Sequence, residues 1–195
     1  MSGRSPEALE AALAMLRRPQ LARLVRRSSL PRGITLLLEV AAEDPEALRE
    51  AETLTGRPGA PLRRAASFFV EQVLLTRGSD SYRVLGCSSD ANAAELRRHM
   101  ALILKWLHPD RVQVSAGTQH FDRSAFAALV TRAWENLKNG ERRAAYDANR
   151  KTEATEPRKG AAAGSSVSIP RRLALYRIER EPFWTRLLVY LGRFR

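Results

Sequence analysis

One cysteine in 195 residues, Cys87, rules out an intramolecular disulfide and leaves no partner thiolates for a cysteine-bound metal; this usage suits a reducing compartment. Cys87 itself reads as a small apolar filler. Long hydrophobic runs are also missing. The longest, Ile34 to Ala42, is interrupted by Thr35 and Glu39 and is too short to span a bilayer. Glu10, Arg17 and Arg18 break up the stretch after the amino terminus, so no signal-peptide apolar region is expected and neither is export. No carboxylate pair, nucleophile with a base, metal cluster or phosphate loop stands out. The chain is therefore not expected to be an enzyme or to carry a cofactor or a metal. Lysine is scarce, with 4 against 29 arginines, a bias that points to a GC-rich bacterial genome and says nothing about function.

What the chain does have is positive charge, +12 in all, unevenly placed. Residues 1 to 78 carry 12 basic and 9 acidic residues and residues 79 to 150 carry 11 and 8, while residues 151 to 195 carry 10 and 4. Half of the excess thus sits in the last 45 residues, the part that would seek polyanions. Apolar residues recur at helical spacing almost throughout and no alternating strand stands out, so the fold class is all-α. Residues 1 to 78 read as a helical amino-terminal region of unknown role. It contains an amphipathic stretch from Pro6 to Arg27 with Leu9, Leu13, Leu16 and Leu24 among its apolar positions, a helix over Ile34 to Ala42, a helix from Glu46 to Leu54 capped by Asp44 before Pro45, a loop over Gly56 to Pro61, and a last helix from Leu62 to Leu75. Residues 151 to 168 lack apolar periodicity and read as a flexible linker. Residues 169 to 195 form a basic amphipathic tail.

Residues 79 to 150 hold the most regular pattern. Leu96, Met100, Ile103 and Leu107 make one apolar stripe, with Arg98 and Lys105 opposite. Asn92 with Glu95 three positions on marks the start of that helix as a capping box, and Pro109 ends it, leaving His108 at its terminus and Asp110 in a turn. A second helix runs from Asp122 to Lys138 with Phe126, Val130, Ala133, Trp134 and Leu137 on one side, stopped by Asn139-Gly140. The two form a hairpin across the loop Arg111 to Phe121, with Tyr82 and Leu85 of a short leading helix over one end. A short helix, Glu141 to Arg150, follows. His99 reads as a packed or half-exposed side chain, His120 as a loop residue, and Arg142 and Arg143 as solubilising.

Four stretches then stand in order: Ser81-Tyr82-Arg83-Val84-Leu85-Gly86, Leu107-His108-Pro109-Asp110-Arg111, the pattern Val130, Ala133, Trp134, Leu137, and Glu141 to Asp147. Together they resemble the J-domain of DnaJ-type co-chaperones over about seventy residues. The resemblance implies a helical hairpin that docks onto a DnaK-type ATPase chaperone and promotes ATP hydrolysis in it, assisting protein folding or client delivery, including under stress. The residues it assigns to the partner are His108, Pro109 and Asp110 with the adjacent Arg111, and the basic face Arg97, Arg98 and Lys105. The chain departs from the family at Met100, Ala101 and Leu102, where tyrosine, lysine and arginine are common, so charge complementarity is reduced. It also lacks the Gly/Phe-rich and zinc-binding regions of full-length DnaJ proteins.

The tail from Arg171 to Arg195 interleaves seven arginines with Tyr176, Phe183, Trp184, Tyr190 and Phe194. Such a mixture suits contact with an anionic membrane surface or docking onto the amino-terminal helices, and the expected location is cytoplasmic, at most peripheral to the inner membrane. Two other readings compete: a J-like scaffold or adaptor that does not stimulate ATP turnover, motivated by Ala101 and Leu102, and a nucleic-acid-associated basic protein, which lacks any dedicated motif.

Overall fold

The computed structural model describes residues 4–76, 78–108 and 123–155. Residues 156–168 of the expected linker, the tail 169–195, and Pro109, Asp110 and Arg111 lie outside the described residues. Those described are helical, with no strand among them. The helices are α1 (Glu7–Arg17), α2 (Leu21–Arg27), α3 (Ile34–Ala41), α4 (Pro45–Thr55), α5 (Gly59–Phe69), α6 (Ser81–Val84), α7 (Ala93–Trp106), α8 (Arg123–Leu137) and α9 (Gly140–Thr155), and the end of α5 widens into a π-helical turn, Val70–Leu74.

The amphipathic stretch from Pro6 to Arg27 is two helices rather than one. Pro19 has no N–H to donate, α1 ends at Arg17, and the chain restarts at Leu21. The buried face of α1 is Ala8, Leu9, Ala12 and Met15, whereas Leu24 on α2 is exposed. Helix α4 starts as expected: the Asp44 carboxylate accepts from the backbone N–H groups of Glu46 and Ala47, with Pro45 in the first turn. The loop before α5 is shorter than its glycines and prolines suggest, because α5 already begins at Gly59. A Cβ there would lie 2.8 Å from Glu52 Oε1 and 3.0 Å from Leu48 Cδ2, so glycine is what lets α4 and α5 approach. At the other end α9 continues to Thr155, past the expected boundary at Arg150.

Helix α3 organises the unit. It packs against α1, α4 and α5 and also against α7, and seven of its eight residues are buried. The residues described from Arg4 to Thr155 accordingly belong to one compact unit, in which the amino-terminal helices and the α6 to α9 hairpin share a core. Gly86, in the turn after α6, sits at this junction. Its φ is +67°, and a Cβ would lie 2.8 Å from Ile34 Cγ2 on α3, so only glycine both adopts the turn and clears the neighbouring helix. No helix among the described residues is long and apolar enough to cross a membrane.

Candidate functional site

The site is built on α7. Asn92 caps the helix with its side-chain oxygen accepting from the Glu95 backbone N–H at 2.8 Å. Its last turn closes with the Leu107 N–H donating to the Ile103 carbonyl at 2.9 Å, which sets His108, half-buried, just beyond the helix end. Leu96, Ile103 and Leu107 are buried and α7 packs against α8. Arg97, Arg98 and Lys105 are exposed along the same helix, with Ala94 exposed and Ala101 partly so between them. One helix therefore presents a basic stripe that leads toward His108. Of the seven residues expected to meet the partner, the structure places His108, Arg97, Arg98 and Lys105 on or at the end of α7.

Helices α6, α8 and α9 brace this element from below. The Tyr82 hydroxyl lies 3.0 Å from both carboxylate oxygens of Asp147, donating to that carboxylate, and it accepts from Arg143 Nε at 2.9 Å. The Tyr146 hydroxyl accepts from the Ser81 backbone N–H at 2.7 Å, and Asn136 Nδ2 donates to Ser81 Oγ at 3.0 Å. Arg143 also donates to the Ser89 carbonyl at 2.8 Å and lies over the Tyr82 ring, 5.3 Å from its centroid. Arg143 is thus a structural clamp rather than a solubilising charge. Arg142 pairs with Glu135 across the α8–α9 corner.

The opposite side of α7 faces α3 and α5, and the two polar residues that interrupt the apolar run of α3 are both directed there. Thr35 Oγ1 lies 2.8 Å from His99 Nε2, and Glu39 forms an ion pair with Arg98. The His99 Nδ1 atom is 3.0 Å from the Leu85 carbonyl, which can only accept. The ring proton is therefore assigned to Nδ1, and Nε2 accepts from the Thr35 hydroxyl. Burial holds this imidazole below its usual pKa, keeping it neutral. Trp106 is buried as well, its indole N–H donating to Ser67 Oγ on α5 at 3.1 Å. Burial accounts for the missing charge on α7 at Met100 alone, since Ala101 and Leu102 are partly exposed.

Among the described residues, Cys87, Glu95 and His99 bring possible metal ligands within 4.8 Å of one another. The Cys87 Sγ atom is 3.2 Å from His99 Nδ1, and burial pushes the thiol up to about 12, so it stays protonated. With both ring nitrogens of His99 already engaged by Leu85 and Thr35, the cluster is a satisfied internal network. Cys87 is a hydrogen-bonded member of it as well as an apolar filler.

Glu71 and Glu39 were not singled out by sequence patterning. Glu71 lies in the π-helical turn, half-buried, and desolvation raises its carboxyl to about 7 against the opposing effect of Arg123. Residues 80–147 match the family model described as DnaJ domain. No solved structure matches the chain.

Proposed function

Because the chain carries a J-domain at residues 80–147, we propose that it is a co-chaperone that stimulates ATP hydrolysis by a DnaK-type chaperone through the loop opened by His108 and the basic stripe of α7. The observation that carries this reading is the position of His108 at the end of a capped, doubly supported helix whose exposed side bears Arg97, Arg98 and Lys105. Such an arrangement suits electrostatic steering of an acidic partner surface onto a fixed corner. The reaction belongs to the partner. This chain supplies binding energy that favours the hydrolysing state of the chaperone and hands over a client. Pro109, Asp110 and Arg111 follow His108 directly in sequence and are assigned to the same contact.

The test is single-turnover ATP hydrolysis by the DnaK-type chaperone of the same organism. The wild-type chain accelerates it and His108→Gln does not. Equal rates with the two proteins would refute the role of His108, and no acceleration by the wild type would favour the scaffold reading. That second reading draws support from Ala101, which leaves the middle of the exposed stripe uncharged. The carboxy-terminal segment 169–195 is assigned to location, since its arginines and aromatic residues suit an anionic surface on the cytoplasmic side of the inner membrane. Flotation with vesicles containing anionic lipid, for the full chain and a chain ending at residue 168, tests this assignment.

A further inference from the structure

The basic stripe is not left to itself. Glu39 belongs to the amino-terminal region, yet its side chain is only 8% exposed and meets the guanidinium of Arg98, whose side chain is 55% exposed. Arg4 Nη2 also reaches this carboxylate, donating to Oε1 at 3.5 Å and lying 3.2 Å from Oε2, so Glu39 is shared between Arg98 and Arg4. Arg4 divides its own charge between Glu39 and Glu50. A second carboxylate, Asp44, sits at the turn between α3 and α4. It is held below the usual carboxylate range chiefly by the backbone N–H of Ala47, with Glu46 N–H and then the charges of Lys105 and Arg4 adding to this against a desolvation cost. Arg98 therefore has an acidic partner donated by the amino-terminal helices, and the charge of Asp44 adds to the negative potential near Lys105. Arg97 pairs with no acidic side chain among the described residues.

We propose that Glu39 and Asp44 are specificity-determining residues for the chaperone contact, lowering the attraction of the α7 stripe for a generic acidic surface so that only a partner with further complementary contacts docks well. The inference rests on the co-chaperone reading. Glu39 is held because α3 is fixed to α7 by the Thr35 to His99 bond and by its own burial, and Asp44 is held by its cap bonds from the Glu46 and Ala47 N–H groups. Their effect is thus a permanent setting of the local potential, not a gate.

The experiment compares the full-length wild type with the double variant Glu39→Gln, Asp44→Asn in the ATP hydrolysis assay, across a salt series and with two DnaK-type chaperones, one from the same organism and one from a distant bacterium. Asparagine keeps the α4 cap and glutamine keeps the shape at position 39. The expected result is a half-maximal concentration lowered by about threefold to tenfold at low salt, more for the distant chaperone than for the native one, with the gain shrinking as salt rises. Glu7→Gln with Glu10→Gln, the same charge change on α1, has no such effect. His108→Gln in the double-variant background abolishes stimulation. A wild type that stimulates while the double variant is unchanged or weaker overturns the proposal and leaves the co-chaperone reading standing. Silence from both proteins overturns both. Stimulation by the double variant alone, lost with His108→Gln, supports the effect of the two carboxylates and overturns the co-chaperone reading of the natural chain. If Glu39→Gln fails to fold, Asp44→Asn alone is read in the same assay, and an unchanged half-maximal concentration overturns the proposal.

Discussion

At the scale of single residues, two buried titratable groups pull the pH dependence of stability in opposite directions. Burial lowers the pKa of His99 in the folded state, so the unfolded chain takes up that proton first as pH falls. Its stabilising contribution is intact above about 6.5 and is lost progressively below that value. Glu71 behaves oppositely. Its folded value is about 7 against an ordinary 4.5, so the native state holds the proton more tightly and stability falls as pH rises through that window. Glu71→Gln removes this falling limb. Because Glu71 is only half-buried, the shift is discounted for solvent screening, and the variant should be more stable than the wild type by about 1 kcal/mol at pH 8, with the difference vanishing near pH 4. Thermal melting at a series of pH values checks this. A variant that melts at or below the wild-type temperature at pH 8 would show that Glu71 is not strained by burial.

At the scale of elements, helix α7 shows how much sequence alone can tell. Asn92 at its start and Pro109 after its end bounded it to within a residue, because caps and prolines act locally. The stripe Leu96, Ile103, Leu107 was legible for the same reason. Its second buried side was not, since Thr35 and Glu39 are 64 and 59 residues from the partners they meet and no local rule links them. The same limit hid the role of Arg143, 61 residues from Tyr82. The stretch from Pro6 to Arg27 failed differently: Pro19 was a local breaker within an otherwise continuous pattern. One consequence is testable on α7 itself. Arg98, proposed above as a docking residue, donates to a buried carboxylate, so Arg98→Ala should cost about 1 to 3 kcal/mol of stability, below the range for fully buried pairs because Arg98 is partly in water. Arg97→Ala, on the open part of the stripe, should stay within about 0.5 kcal/mol of wild type. Chemical denaturation of the two variants distinguishes them, and equal losses would argue against the Glu39 contact.

At the scale of the whole molecule, the stretch that matches the DnaJ domain model, residues 80–147, is one part of a shared core. His99, Trp106 and Leu85 are all buried, two of them bonded to residues of the amino-terminal helices. A fragment of residues 79–150 would open Trp106 and His99 to water and remove their partners Ser67 and Thr35. It should therefore lack a cooperative thermal transition, or melt well below the chain that retains residues 1–78, as followed by circular dichroism at 222 nm. Melting at the same temperature as the longer chain would mean the contacts to α3 and α5 contribute little.

Helix α3 has a further consequence for synthesis on the ribosome. Seven of its eight residues are buried in the finished protein, yet the histidine that meets Thr35 is translated 64 residues later. At about 5–20 residues per second, that side of α3 waits roughly 3 to 13 seconds for its partner. During that interval α1, α4 and α5 can already cover α3, and only its side toward α7 stays open. The amino-terminal helices would thus be ready before the helix they support has left the ribosome.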